Sequence, residues 1–148
     1  MPKLPEPKNP DFHERILEQL TRQEFMKLTH CRLVHIDVAT VIAEIELSKV
    51  HKQQSGLTHG GVVALIADVA AGFAGFTLIG ADQQLVTAEL KISYFLPAVG
   101  AILRAVGKVV KHGNTLSFCE ADVYSVNVGS DDVLVARATA TMAIVKGH

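Results

Sequence analysis

The chain is poor in cysteine, carries almost no excess charge of either sign, and has no apolar stretch at its start, no internal repeat and no low-complexity tract. Cys31 and Cys119 are its only cysteines, far apart and without a C-x-x-C spacing, which leaves neither a zinc-site pattern nor a disulfide framework. Two buried thiols in a reducing compartment fit this usage. A formal net charge of −1 and a pI near 6.6 provide no basic field for a phosphate backbone, so nucleic acid is not an expected partner. The opening MPKLPEPKNPDFHERILEQL places prolines and charges where an export signal needs an apolar core. A cytoplasmic location is the expectation. His13, His30, His35, His51, His112 and His148 form no metal-ligand spacing and read as surface or solvated residues; no metal and no organic cofactor is expected.

What the chain does have is apolar content, 49% of its 148 residues, enough for one domain with a real core. The run from Val62 to Ala81 is about as long as a bilayer-spanning helix. Against a membrane span stand Asp68, whose carboxylate costs about 2.5–3.5 kcal/mol at a helix centre, four glycines between positions 61 and 80, and the lack of Lys or Arg at either end. A very apolar helix covered by a sheet is the better reading.

Pro2, Pro5, Pro7 and Pro10 mark an extended lead, followed by one amphipathic helix with Phe12, Ile16, Leu17, Leu20, Phe25 and Leu28 at helical spacing, read as a cover or flap. Residues 1–30 are taken as this extension and 31–148 as the main domain. RLVHIDVATVIAEIEL reads as a strand or hairpin, with Val41 to Leu47 the surer half, and residues 48–58 as a polar loop. Four segments of strand character follow the helix, near 84–96, 101–112, 115–127 and 133–145, with KHGNTL and NVGSDD as turns. One apolar helix and an antiparallel meander give an α+β fold, a single sheet curled around the helix. Ala64, Ala67, Ala70, Ala71, Gly72, Ala74 and Gly75 would let strands approach closely.

Over residues 40 to 145 the chain resembles the hotdog-fold acyl-CoA thioesterases, and most closely their PaaI-like, phenylacetic acid degradation branch. The resemblance rests on SGLTHGGVVALIADVAAG, on LVTAELKISYFLPAVG and on VLVARATATMAI, jointly on H-G-G, an acidic residue nine positions after the His, and the later V-T-x-E-L-K-I run with its Pro. It implies a hotdog fold, hydrolysis of an acyl-CoA thioester without metal or cofactor, a site between two subunits, and assembly as a homodimer or dimer of dimers. It further implies that Asp68 acts as base or nucleophile, that the Gly60 N–H polarises the thioester carbonyl, that Gln53 assists and that Thr87 holds water. At position 53 the PaaI-like branch usually has Asn; Gln belongs to the 4-hydroxybenzoyl-CoA thioesterases, and Gln54 is a neighbouring candidate.

Elementary geometry constrains this reading. A helix starting near His59 would offer the free N–H groups of Gly60 and Gly61 to a developing oxyanion. Asp68 is eight residues beyond Gly60, about 12 Å along the axis, too far for one carbonyl to touch both. A two-fold dimer with the helices antiparallel would build each site from Gln53 and Gly60 of one subunit and Asp68 of the other. His59 invites a catalytic role, yet a cap or strut explains it better, since no Ser or Cys stands at an evident spacing. Lys111, His112, Gly113 and Asn114 could meet the phosphates of coenzyme A, and Phe73, Phe76 and Phe95 could shape the acyl pocket. Other hotdog activities stay open: an enzyme on acyl-carrier-protein thioesters, a dehydratase, which would need a catalytic His with a partner acid, or a non-catalytic acyl-CoA binding module.

Overall fold

The computed structural model describes residue 3 and residues 5–148, so Pro2 of the extended lead lies outside the described residues. In chain order the elements are α1 (Phe12–Arg22), α2 (Glu24–Thr29), β1 (Cys31–Asp37), β2 (Thr40–Glu46), α3 (Gly60–Phe76), β3 (Gln83–Tyr94), β4 (Ile102–His112), β5 (Leu116–Val126) and β6 (Val133–Lys146). The strands form one antiparallel sheet in the order β1-β2-β4-β5-β6-β3, wrapped about α3. This is the hotdog arrangement.

Helix α3 forms because apolar and small residues, interrupted only by Asp68, run from a capped start, and it is buried because nearly every face of it is apolar. Val63, Ile66, Ala67, Ala70, Ala71 and Ala74 are at most 3% exposed, the i, i+3, i+4, i+7 row that the sheet covers. Contact is closest at β4, where a Cβ added to Gly107 would stand 2.2 Å from the Ala70 carbonyl. Helix and sheet touch backbone to backbone there. Alternation in β5 and β6 places Cys119, Ala121, Val123, Ala136, Ala138, Ala140 and Met142 inward, all buried, as the period of two requires. On the outer face Glu44 is buried at 7% but pairs with Arg104 at 2.7 Å, which offsets its desolvation.

The single N-terminal helix read from the sequence is in fact two. Gln23, at φ −89° and ψ 88°, breaks the helix. Ile16 packs with Val41, Phe73 and Phe76, whereas Met26 packs with the sheet and the first half of α3. Ten residues of continuous helix would turn these two side chains about 80° apart, and the break lets each reach its own cluster. Phe25 and Leu28, which the spacing had placed on the buried stripe, are 61% and 74% exposed. Arg15 pins α1 by donating to the Gly80 carbonyl at 2.7 Å and to the Gln83 carbonyl, with its guanidinium 4.6 Å from the Phe76 ring centre.

Residues 31–46 form the hairpin and the four later segments form β3 to β6, with ends within three residues of those read from the sequence. Among the described residues no helix is long and apolar enough to cross a membrane.

Candidate active site

The start of α3 is built by its cap. His59 has extended backbone, and its Nδ1 accepts from the Gly61 N–H at 2.9 Å. His59 is therefore a strut, and the expectation that both glycine N–H groups are free needs correction: Gly61 spends its donor on the cap. The Gly60 N–H finds no acceptor among the described residues, and it carries the orphaned positive end of a 17-residue helix.

The preceding loop is more structured than its polarity suggests. Lys49–His51 forms a 3-10 turn, and His51, read as solvated, is only 3% exposed. Its Nδ1 accepts from the Ser48 N–H at 3.0 Å and its Nε2 stands 2.8 Å from the Thr29 carbonyl, which fixes the proton on Nε2. The His51 carbonyl in turn accepts from the His59 N–H at 2.9 Å. Gln53 closes the tip by donating its N–H to the Leu57 carbonyl at 2.8 Å, a turn made possible by Gly56 at φ +84°. Gln53 and Gly60 line one hollow of about 330 Å³ with Tyr94 and Phe95; Gln54 is exposed and lines none of it.

Tyr94 went unnoticed in the sequence. Its hydroxyl donates to the Gly60 carbonyl at 2.8 Å, and its ring atoms stand 3.6 Å from where a Gly60 Cβ would be. An aromatic in the SYFLP stretch carries no sign of this, because the pairing joins residues thirty-four apart.

Asp68 sits on the part of α3 that the sheet leaves uncovered, and Thr87 Oγ1 donates to its Oδ1 at 2.7 Å. Both line a second cleft, of about 200 Å³, whose apolar walls include Phe73, Phe76 and Leu85. Thr87 and Tyr94 both face α3 although seven residues, an odd number, separate them. The register shifts at Ala88, between Thr87↔Met142 and Glu89↔Thr141, and returns Tyr94 opposite Ala136. This bulge sets both hydroxyls on one face.

One chain does not unite the candidate residues: Gln53, Gly60 and Tyr94 are in one hollow, Asp68 and Thr87 in the other. Phe73 and Phe76 belong to the Asp68 cleft and Phe95 to the Gly60 hollow. The turn Lys111, His112, Gly113, Asn114 lies beside the C-terminal end of α3, since Ser117, bonded to His112 at 3.1 Å, reaches Gly75. Gly113 uses its N–H on the Leu116 carbonyl at 2.8 Å, so of the donors expected there that one is taken. His112, read as solvated, has a buried Nε2 without a partner among the described residues, and burial, then the charge of Lys8, lowers its pKa.

Both cysteines are free and buried. Burial pushes the Cys31 thiol up to about 12 and raises that of Cys119, so neither offers a thiolate nucleophile. The described residues contain no group of three or more His, Cys, Asp or Glu placed to hold a metal.

A family model described as "Thioesterase superfamily" matches residues 55–131. A protein of Saccharolobus solfataricus that carries an esterase name is 25% identical over 123 residues, spanning 83% of this chain and 84% of that protein. Among solved structures, a thioesterase family protein from Silicibacter pomeroyi superposes with a TM-score of 0.88 at 27% identity, over 92% of this chain and 99% of that one. A mutant of the phenylacetic acid degradation protein PaaI from Thermus thermophilus shares the fold at a TM-score of 0.70 and 24% identity, over 82% of this chain and 98% of that one.

Proposed function

The chain belongs to the thioesterase superfamily, and on that premise we propose that it hydrolyses acyl-CoA thioesters, as a PaaI-like enzyme, in a site shared by two copies of itself. The observation that carries this reading is the placement of two half-sites on one free strand edge. Thr87 of the Asp68 cleft and Tyr94 of the Gly60 hollow stand about 20 Å apart along β3, which is an outer strand of the sheet. Two β3 edges paired antiparallel about a two-fold axis near Leu90 set the Gly60 hollow of one copy against the Asp68 cleft of the other. Such pairing also removes an edge of twelve residues that would otherwise template aggregation. Exposed Val110 and Phe118, on the outside of the sheet, are consistent with further association into a dimer of dimers.

In this site the Gly60 N–H, at the positive end of α3, donates to the thioester carbonyl oxygen and stabilises the charge that develops on it. Gln53 supports the same oxygen from the loop. Tyr94 holds the first turn of α3 in place through its bond to the Gly60 carbonyl. Asp68 of the opposing copy takes a proton from water, whose oxygen attacks the carbonyl carbon. Collapse of the tetrahedral intermediate breaks the carbon–sulfur bond, and the leaving thiolate takes the proton held by Asp68, which releases the acid and coenzyme A and restores the carboxylate. Thr87 donates to Asp68, so its hydroxyl oxygen stays free to accept from that water. Lys111, exposed at the hairpin tip, meets the phosphates of coenzyme A, with His112 and Asn114 beside it.

The test uses two variants that each keep the fold. Gly60→Pro removes the N–H while Pro suits the first position of a helix, and the extended backbone of His59 tolerates a following Pro. Asp68→Ala removes the carboxylate. Each alone is expected to lose a hundredfold or more in kcat. Mixed in equal amounts and allowed to exchange subunits, they should recover about a quarter of wild-type sites, because half of the dimers are mixed and each has one intact site. Recovery of nothing from a mixture proven to contain mixed dimers refutes the shared site, and a wild type inert towards a broad acyl-CoA panel refutes the activity.

A further inference from the structure

The Asp68 cleft is lined in part by residues that lie outside the segment matched by the family model, 55–131. Gln19 of α1 and Gln23 at the helix break line it, together with Gln84 of β3. Gln23 is exposed and lies about 12 Å along α1 from Arg15, so it borders the side of the cleft rather than its far end. Phe76 lies about 12 Å along α3 from Asp68, and Gln84 about 10 Å along β3 from Thr87. The Phe76 and Gln84 end is therefore the one remote from the carboxylate.

Gln19 and Gln84 also line a second, larger hollow of about 470 Å³, whose other walls carry Arg15, Glu18, Arg22 and Asp82. The two glutamines thus stand between an apolar cleft and a charged one. Arg15, bonded to the Gly80 carbonyl at 2.7 Å, holds α1 against the loop before β3 and so keeps that partition in place.

We infer that Gln19 and Gln84 form the end wall of the acyl cleft and determine specificity, admitting acyl groups of medium length or shorter and favouring those with a neutral hydrogen-bonding group at the far end. This rests on the reading that the thioester is cleaved beside Asp68. A glutamine amide offers both donor and acceptor and carries no charge, so it pairs a hydroxyl or ketone and gains nothing from a carboxylate. An aliphatic end leaves these amides unpaired, and a site built to bond a polar group discriminates against the analogue that lacks it. A longer chain meets the partition and, past it, charge.

The experiment compares kcat/KM for butyryl-, octanoyl-, ω-hydroxyoctanoyl- and palmitoyl-CoA in wild type, Gln84→Leu and Gln19→Ala, with melting temperature and oligomeric state checked for each. Wild type is expected to favour the ω-hydroxylated octanoyl group over the plain one by about tenfold or more and to use palmitoyl-CoA poorly. Gln84→Leu should reduce that preference, and Gln19→Ala should raise palmitoyl turnover about tenfold by joining the two hollows. Identical substrate profiles in the three proteins overturn the end-wall assignment and leave the hydrolase reading standing. Absence of all turnover in wild type overturns that reading itself.

Discussion

Thr87 Oγ1 donates to Asp68 Oδ1 at 2.7 Å, tying an edge strand to the middle of the central helix. The bond orients one carboxylate oxygen of a residue that lines the cleft. Hydrogen bonds to a charged group are worth about 1.5–3 kcal/mol, so Thr87→Val, which keeps the branched shape, should lower kcat/KM about tenfold to a hundredfold. Thr87→Ser should restore most of it. In an Asp68→Asn background the Thr87→Val change should add little, since coupled residues are not additive. Full additivity across that cycle would mean the two side chains act separately.

The packing of helix on sheet allows a sharper test of stability. An added Cβ on Gly107 would meet Ala70 backbone atoms at 2.2 Å and the Ala71 nitrogen at 2.7 Å, and backbone cannot yield as a flexible side chain can. Gly107→Ala is expected to cost about 1–3 kcal/mol or more and to lower the melting temperature by several degrees. The matched Gly72→Ala change, whose nearest neighbour is the Met142 methyl at 3.7 Å, should be tolerated. Equal melting temperatures for the two variants would contradict the close approach.

His112 gives the protein a pH dependence whose sign follows from its surroundings. Burial first, and the charge of Lys8 second, lower its folded-state pKa from the ordinary 6.5, so the folded protein holds the ring neutral while the unfolded chain protonates it more readily. Stability from this residue is complete above about pH 6.5 and falls as the pH drops below that value. His112→Asn, which can keep the bond to Ser117, should flatten the slope of unfolding free energy against pH between 6.5 and the lowered folded value. An unchanged slope in denaturant titrations would exclude His112 as its source.

Much of this architecture is readable along the chain. The alternation of Leu134 to Val145 and the Gly-Asn turn at 113–114 announce β6 and the β4–β5 hairpin, because period and turn chemistry are local properties. The helix start at His59 is legible for the same reason. What depends on distant partners is not. Gln23 breaks the first helix because Ile16 and Met26 belong to different clusters, and the only local sign is the five-residue gap between Leu20 and Phe25. His51 is polar and lies in a polar stretch, and nothing nearby reveals that the Thr29 carbonyl awaits its Nε2. Spacing along α3 did separate Gly60 from Asp68, and the structure places them in different hollows. Tyr94 and the glutamines of the end wall escape the sequence because each reaches its hollow through the curl of the sheet or the fold-back of α1.

The unpaired residue at Ala88 gives β3 a rule of parity. Between Thr87 and Tyr94 an added residue turns one hydroxyl away from α3, since neighbouring side chains take opposite faces, whereas loss of the bulge residue itself leaves an even interval with both hydroxyls still facing the helix. A change of two residues would keep both facing the helix yet move one relative to the other by about 7 Å. Relatives that preserve both contacts should therefore keep this interval where the bulge is present or shorten it by one where the bulge is lost, even where α1, α2 and the loops vary freely in length.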